Sequence, residues 1–159
     1  MHSRAKVAAV ALGAALVLSS CSLTSSVTTS LEYDPSDGTS VAVGDVRALN
    51  ITLITTAEGE PGAVIGALYN AHLTEEATVT LEIGGTEETY DIPPMVGIQL
   101  GVGEGTEEFV TTAPTNPGLF GTYTVTVEGE GAATGALPVM DGTLPQYADV
   151  LEELEASAS

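Results

Sequence analysis

Apolar residues alternate with polar ones at period two through most of this chain, and that alternation limits it to strands. Leu49, Ile51 and Leu53 alternate with Asn50 and Thr52, and Val79, Leu81 and Ile83 with Thr80 and Glu82. Val96, Ile98, Leu100 and Val102 alternate with Gly97, Gln99 and Gly101, and Tyr123, Val125 and Val127 with Thr124 and Thr126. Successive side chains of a strand point to opposite faces, so each segment offers one apolar face to a core. Segments 63–70 and 132–139 read as two further strands. Between them lie turn formers: Asp34-Pro35-Ser36-Asp37-Gly38, Gly59-Glu60-Pro61-Gly62, Gly84-Gly85, Pro93-Pro94, Pro114-Thr115-Asn116-Pro117-Gly118 and Glu128-Gly129-Glu130-Gly131. About seven or eight short strands over residues 31–142 predict an all-β domain, an immunoglobulin-like or cupredoxin-like β-sandwich.

Gly121-Thr122-Tyr123-Thr124-Val125 resembles the late strand of immunoglobulin-like domains, with Val125 where a cysteine usually stands. There a tyrosine two residues before the main core position closes a corner with its hydroxyl. A plain alternating strand that happens to carry a tyrosine reads equally well. After the strands, Tyr147, Val150, Leu151 and Leu154 recur at helical spacing, with Thr143 able to cap and Pro145 suited to the first turn. Residues 143–159 are therefore read as a short acidic C-terminal helix and tail that docks on the sandwich, with gripping a partner by its apolar stripe as the alternative.

The N-terminus fixes a location. Arg4 and Lys6 precede an apolar run from Val7 to Leu18, and Leu18-Ser19-Ser20-Cys21 follows with the only cysteine of the chain. This is an export signal over residues 1–20 that ends in a lipobox, so Cys21 is expected to carry diacylglycerol. The run is too short for a spanning helix, which takes about 20 residues. Residues 21–30, rich in Ser and Thr, read as a lipidated flexible tether. The expected site is the extracytoplasmic face of the cell membrane, with two or three acyl chains giving firm attachment.

Charge then excludes whole classes of partner. Without residues 1–20, Arg47 stands alone against 22 carboxylates. A chain that cannot neutralise phosphates does not bind nucleic acid, and anionic headgroups repel it, so attachment falls to the lipid. The partners expected are an unidentified envelope protein or a cation, with the protein itself a monomer. Arg47 shares parity with Leu49, Ile51 and Leu53, which points it toward the core and calls for a structural ion pair with a carboxylate.

Catalytic chemistry is thinly provided for. His72 is the sole histidine after processing, and no Gly-x-Ser-x-Gly elbow accompanies it. Glu75-Glu76, Glu87-Glu88 and Glu107-Glu108 are sequential pairs, which read as solvated turns. No catalytic residues are assigned. Soft ligands for copper are limited to His72, Met95 and Met140, with Met95 on the polar face of its strand by parity with Gly97 and Gln99. Asp34, Asp37 and Gly38 form a turn, since the regular calcium-loop run is absent.

The block Gly135-Ala136-Leu137-Pro138-Val139-Met140-Asp141-Gly142-Thr143-Leu144-Pro145-Gln146-Tyr147-Ala148-Asp149, with the lipobox and Gly44-Asp45-Val46-Arg47, resembles the LpqE-like small exported lipoproteins of actinobacteria. That resemblance implies an envelope location and a sandwich distantly similar to periplasmic copper chaperones. The exported copper chaperones of this architecture carry a His-x-Met pair, which this chain lacks. Some members are labelled methylases, but no Gly-rich nucleotide loop joins a strand to a helix here. The expectation is a non-enzymatic, lipid-anchored binding or structural module, with extracytoplasmic copper binding as its rival.

Overall fold

The computed structural model describes residues 37–157. The export signal, the lipobox Leu18-Ser19-Ser20-Cys21 and the tether lie outside the described residues. Nine strands and one helix follow: β1 Thr39–Val43, β2 Val46–Thr55, β3 Pro61–Asn70, β4 Ala77–Ile83, β5 Thr86–Ile92, β6 Gly97–Leu100, β7 Val110–Thr112, β8 Phe120–Val127, β9 Gly131–Met140 and α1 Pro145–Ser157. The all-β expectation holds.

The strands form one continuous, nearly closed sheet in the order β5-β4-β8-β9-β2-β3-β6. Strand β9 joins its two layers. From Gly131 to Pro138 it runs antiparallel to β8, and then Val139 and Met140 pair in parallel with Leu53 and Ile54 of β2. Pro138 stands at the crossover, where a residue without an N–H is tolerated because one ladder ends and another begins. Short strands complete the edges of the longer ones. β1 covers the first half of β2 while β9 covers its end, and β6 and β7 divide the outer edge of β3.

The core lies between the layers and is built from the alternating positions: Ile51, Leu53, Val79, Leu81, Ile83, Val125 and Leu137 are all buried. Each such side chain contributes about 1.5–3 kcal/mol of burial. Ile54, Ala63, Tyr147 and Leu154 are buried outside this cluster, where α1 packs on β2 and β3. The Leu144 carbonyl accepts from the amides of Tyr147 and Ala148, closing the first helical turn. Thr143 is not the cap expected of it: its hydroxyl and amide both donate to Asp141.

Parity breaks once in β2, and that break corrects the placement of Arg47. Asn50 and Ile51 together oppose the single residue Gly66, with Asn50 in the left-handed region at φ 55°. This is a β-bulge, and an extra residue turns every side chain beyond it to the other face. Val46 and Ala48 therefore face inward before the bulge and Ile51 and Leu53 after it, while Arg47 and Leu49 face out. Gly66 is required opposite the bulge, because a Cβ there would lie 2.8 Å from the Leu49 carbonyl oxygen. Two other readings change. Glu87-Glu88 sits within β5 instead of a turn, and the strand expected over 96–102 is only Gly97–Leu100. Tyr123 is fully buried, and its hydroxyl donates to the Thr39 carbonyl on β1 at 3.3 Å, so it staples β1 to the sandwich instead of closing a local corner.

Candidate functional site

A buried asparagine organises the loop that follows β3. Asn70 ends β3, opposite Val46, with no exposed surface. Its amide Nδ2 donates to the carbonyls of Glu75 and Ile92, each at 2.9 Å, and its Oδ1 accepts the His72 amide at 2.9 Å. A buried amide with every group partnered is a rigid pin, since losing one bond leaves a desolvated group behind. The pinned loop spans residues 71–76 and carries His72. The Nδ1 of His72 accepts from the backbone amides of Thr74, at 3.3 Å, and Glu75, at 2.8 Å. Two N–H groups aimed at Nδ1 place the ring proton of the neutral imidazole on Nε2. That Nε2 lies 3.8 Å from a Glu75 carboxylate oxygen, a contact that becomes an ion pair only when the ring is protonated.

His72 lines a cleft of about 230 Å³ together with Asp45, Glu75, Glu76, Glu128 and Glu130, over a floor that includes Val46 and Val127. Five carboxylates face one imidazole, without a Lys or Arg in the lining. Low-dielectric walls focus such a field, so the cleft attracts cations. Among the described residues no group of three or more His, Cys, Asp or Glu side chains is arranged to hold a metal ion.

Met95 lies near the same end, although not on a strand. Pro93-Pro94-Met95-Val96 is a turn closed by the Val96 amide on the Pro93 carbonyl at 3.3 Å, with Met95 at φ 60°. A positive φ at the third turn position is the type II pattern, which glycine or asparagine usually fills. The turn presents Met95 half-exposed, and its sulfur accepts the Tyr69 hydroxyl at 3.8 Å. The Asn70 amide donates to the Val96 carbonyl at 3.0 Å, which ties this turn to the base of the His72 loop. Leu73 and Val96 are exposed beside them, Leu73 by 76%.

Met140 is not brought to this end. It pairs with Ile54, near the far end of β2 from the Val46–Asn70 pair. At about 3.3 Å per residue the two ends are roughly 25 Å apart. The three sulfur and imidazole candidates therefore do not converge.

Arg47 is exposed and donates to the carbonyls of Gly44, at 3.0 Å, and Val46, at 3.2 Å. It braces the β1–β2 turn, where an ion pair had been expected. Asp37 accepts the Tyr147 hydroxyl at 2.8 Å, and burial together with that carboxylate raises the Tyr147 pKa. Asp141 is held below the usual carboxylate range by the Thr143 hydroxyl and amide. Cys21 lies outside the described residues.

Asn70 was not singled out by sequence reasoning. The only local signal was an asparagine directly after an apolar strand, a position that favours a turn back to the backbone.

No family model and no curated protein matches this chain. Among solved structures it is similar to the copper-bound PCuAC domain from PmoF2, at 19% identity and a TM-score of 0.50, over 65% of this chain and 98% of that one. It is similar in the same degree to the apo PCuAC domain from PmoF1, over 65% of this chain and 99% of that one. At this identity the likeness establishes the fold: the sandwich is of the type seen in PCuAC domains.

Proposed function

We propose that this chain is a non-enzymatic binding module of the cell envelope, anchored outside the membrane by diacylglycerol on Cys21, and that it binds cationic ligands through the loop-bearing end of its sandwich. The observation that carries the reading is the Asn70-pinned loop, which holds His72 and Glu75 at an acidic cleft lined by no Lys or Arg. The Nδ1 that a triad histidine would use to donate to its orienting carboxylate here accepts from two backbone amides, which favours binding over catalysis. Cross-linking on intact cells tests it. The partners recovered with the native protein should be lost when Asp45, Glu75 and Glu130 become Asn, Gln and Gln. Identical recovery from that variant would defeat the reading, as would mass spectrometry of the native protein showing no lipid on Cys21.

A second reading is copper binding, favoured by the fold likeness to a PCuAC domain with copper bound and by the placing of His72 and Met95 toward one end. Coordination at Nε2 of His72 would displace its proton while Nδ1 keeps its two amide donors. Titration of the full chain with Cu(I) against a competing chelator should show uptake that His72→Gln and Met95→Leu each weaken and Met140→Leu leaves unchanged. Absence of uptake, or equal loss with Met140→Leu, would reject it.

A further inference from the structure

The nearly closed sheet has a seam, and its two sides are unequal. β5 and β6 are the terminal strands of the path. The outer edge of β6 is partly occupied, because the Glu107 amide donates to the Gln99 carbonyl at 2.8 Å and the Gly101 amide to the Glu107 carbonyl at 3.1 Å. Among the described residues β5 pairs only with β4, from Ile83↔Thr86 to Ala77↔Ile92. The two-residue turn Gly84-Gly85, with φ 59° and 84°, makes Ile83 and Thr86 the hydrogen-bonded pair that closes the hairpin. Bonded and non-bonded pairs then alternate, so Thr86, Glu88, Tyr90 and Ile92 spend their backbone groups on β4. The amides and carbonyls of Glu87, Thr89 and Asp91 point away from it, into the seam.

Side chains inside the seam are as unusual as its backbone. Glu88 lies opposite Leu81, which is fully buried, so the two share the core-side face. Glu88 is nevertheless exposed, which means that the sandwich gapes at this point. Tyr90, next on the same face, packs against the core, and its hydroxyl is buried without a hydrogen-bond partner among the described residues. Burial and then the charges of Glu88 and Glu107 push that hydroxyl up to about 12. Cross-links hold the gap at both ends. Thr86 and Thr111 share a hydroxyl hydrogen bond at 2.8 Å, and Asn70 reaches the Ile92 carbonyl at 2.9 Å. Glu87 to Asp91 is the stretch left between them.

We propose that this free stretch of β5 takes up an extended, basic segment of a partner protein by strand addition, with a Lys or Arg side chain entering the seam beside Tyr90, Glu88 and Glu107. Main-chain bonds to Glu87, Thr89 and Asp91 would give the affinity. Residues directly opposite on paired strands share a face, so the partner residues facing Glu88 and Tyr90 point into the gap. A cation is the group that satisfies two carboxylates and an orphan phenol oxygen together. Acidic side chains along the same edge oppose pairing with a second copy of this chain. This inference concerns a different surface from the His72 cleft and does not rest on copper or on the cleft.

Amide exchange and NMR titration of the full chain test it, with a blocked synthetic peptide alternating lysine with valine as the probe. Exchange at Glu87, Thr89 and Asp91 should slow as the peptide saturates. Thr89→Pro, which removes an outward amide and the side-chain bond to Thr80 but no backbone bond to β4, should abolish that protection. Glu88→Gln with Glu107→Gln should weaken binding about tenfold, and Tyr90→Phe should weaken it without loss of fold. A peptide of equal charge with proline in place of valine should give no protection. Should Thr89→Pro not fold, Glu87→Lys with Asp91→Lys replaces it, and protection should again vanish. Equal binding of the proline peptide, protection confined to the His72 loop, or none at saturation would overturn the proposal. Protection that grows with protein concentration alone would assign the edge to a second copy and overturn it too.

Discussion

The β5-β4-β8 side of the sandwich and the β2-β3 side keep register differently. β4 pairs with β5 and with β8, and β8 with β9, residue for residue, without a slip. β2 slips against β1 and β3 at one place, Asn50, where Ser40 of β1 accepts the Asn50 amide at 3.3 Å and Gly66 of β3 makes room. The unbroken side buries its core positions by simple alternation, and its outer face carries threonines paired across strands, as Thr80 with Thr89 and Thr124 with Thr134. The interrupted side divides its edges among short strands and carries the loop end with His72. Regular pairing makes a wall, and one extra residue aims the strands that carry a site.

The largest effect should come from breaking the wall. Gly135 lies opposite Tyr123, and a Cβ on it would fall 2.5 Å from two atoms of the Tyr123 ring. Tyr123 is buried and bonded to β1, so the ring cannot step aside. Gly135→Ala should destabilise the domain by about 3 kcal/mol, read as a lowered urea midpoint. A change under about 1 kcal/mol would mean that the ring has room to move and the wall is less rigid than its register implies.

The interrupted side should yield less. Asn50→Val places a β-branched side chain in the left-handed region and should cost about 1.5 kcal/mol, while Asn50→Gly, which keeps that backbone conformation without strain, should cost less. Equilibrium denaturation of the pair checks this. Equal costs for valine and glycine would show that the bulge is held by the Asn50 side chain and not by its backbone conformation.

The same contrast explains what could be read in the sequence. Val79, Leu81 and Ile83, and Tyr123, Val125 and Val127, were legible because nothing disturbs their register. Arg47 and Leu49 were misplaced because the bulge at Asn50 has no strong local signature; asparagine is as common in turns as at left-handed strand positions. β5 went unread because an edge strand with a gap on its core side need not alternate, and acids at Glu87, Glu88 and Asp91 hid it among turns. β7, at three residues, is too short for any period to show. His72 and Met95 were visible as residue types, but what they are near depends on Asn70, whose partners at Ile92 and Glu75 are set by topology.

The smallest effect is a pH dependence at the edge of the regular side. Tyr90 keeps its proton in the folded protein up to about pH 12, whereas the unfolded chain loses it near its ordinary value of 10.0. The unfolded state thus binds fewer protons in that interval, so stability is full below about pH 10 and falls as the pH rises through 12. Because the side chain is only partly buried, the loss should be about 1 kcal/mol, less than the full shift implies. Tyr147, also raised, adds to the same slope from the α1 face. Tyr90→Phe isolates one from the other. It removes an unpaired hydroxyl, so it should gain about 1 kcal/mol at neutral pH, and its urea midpoints between pH 9 and 12 should fall less steeply than those of the native chain. An unchanged slope would assign the whole alkaline loss to Tyr147, and would place the weakest point of the fold under the helix instead of at the seam of the wall.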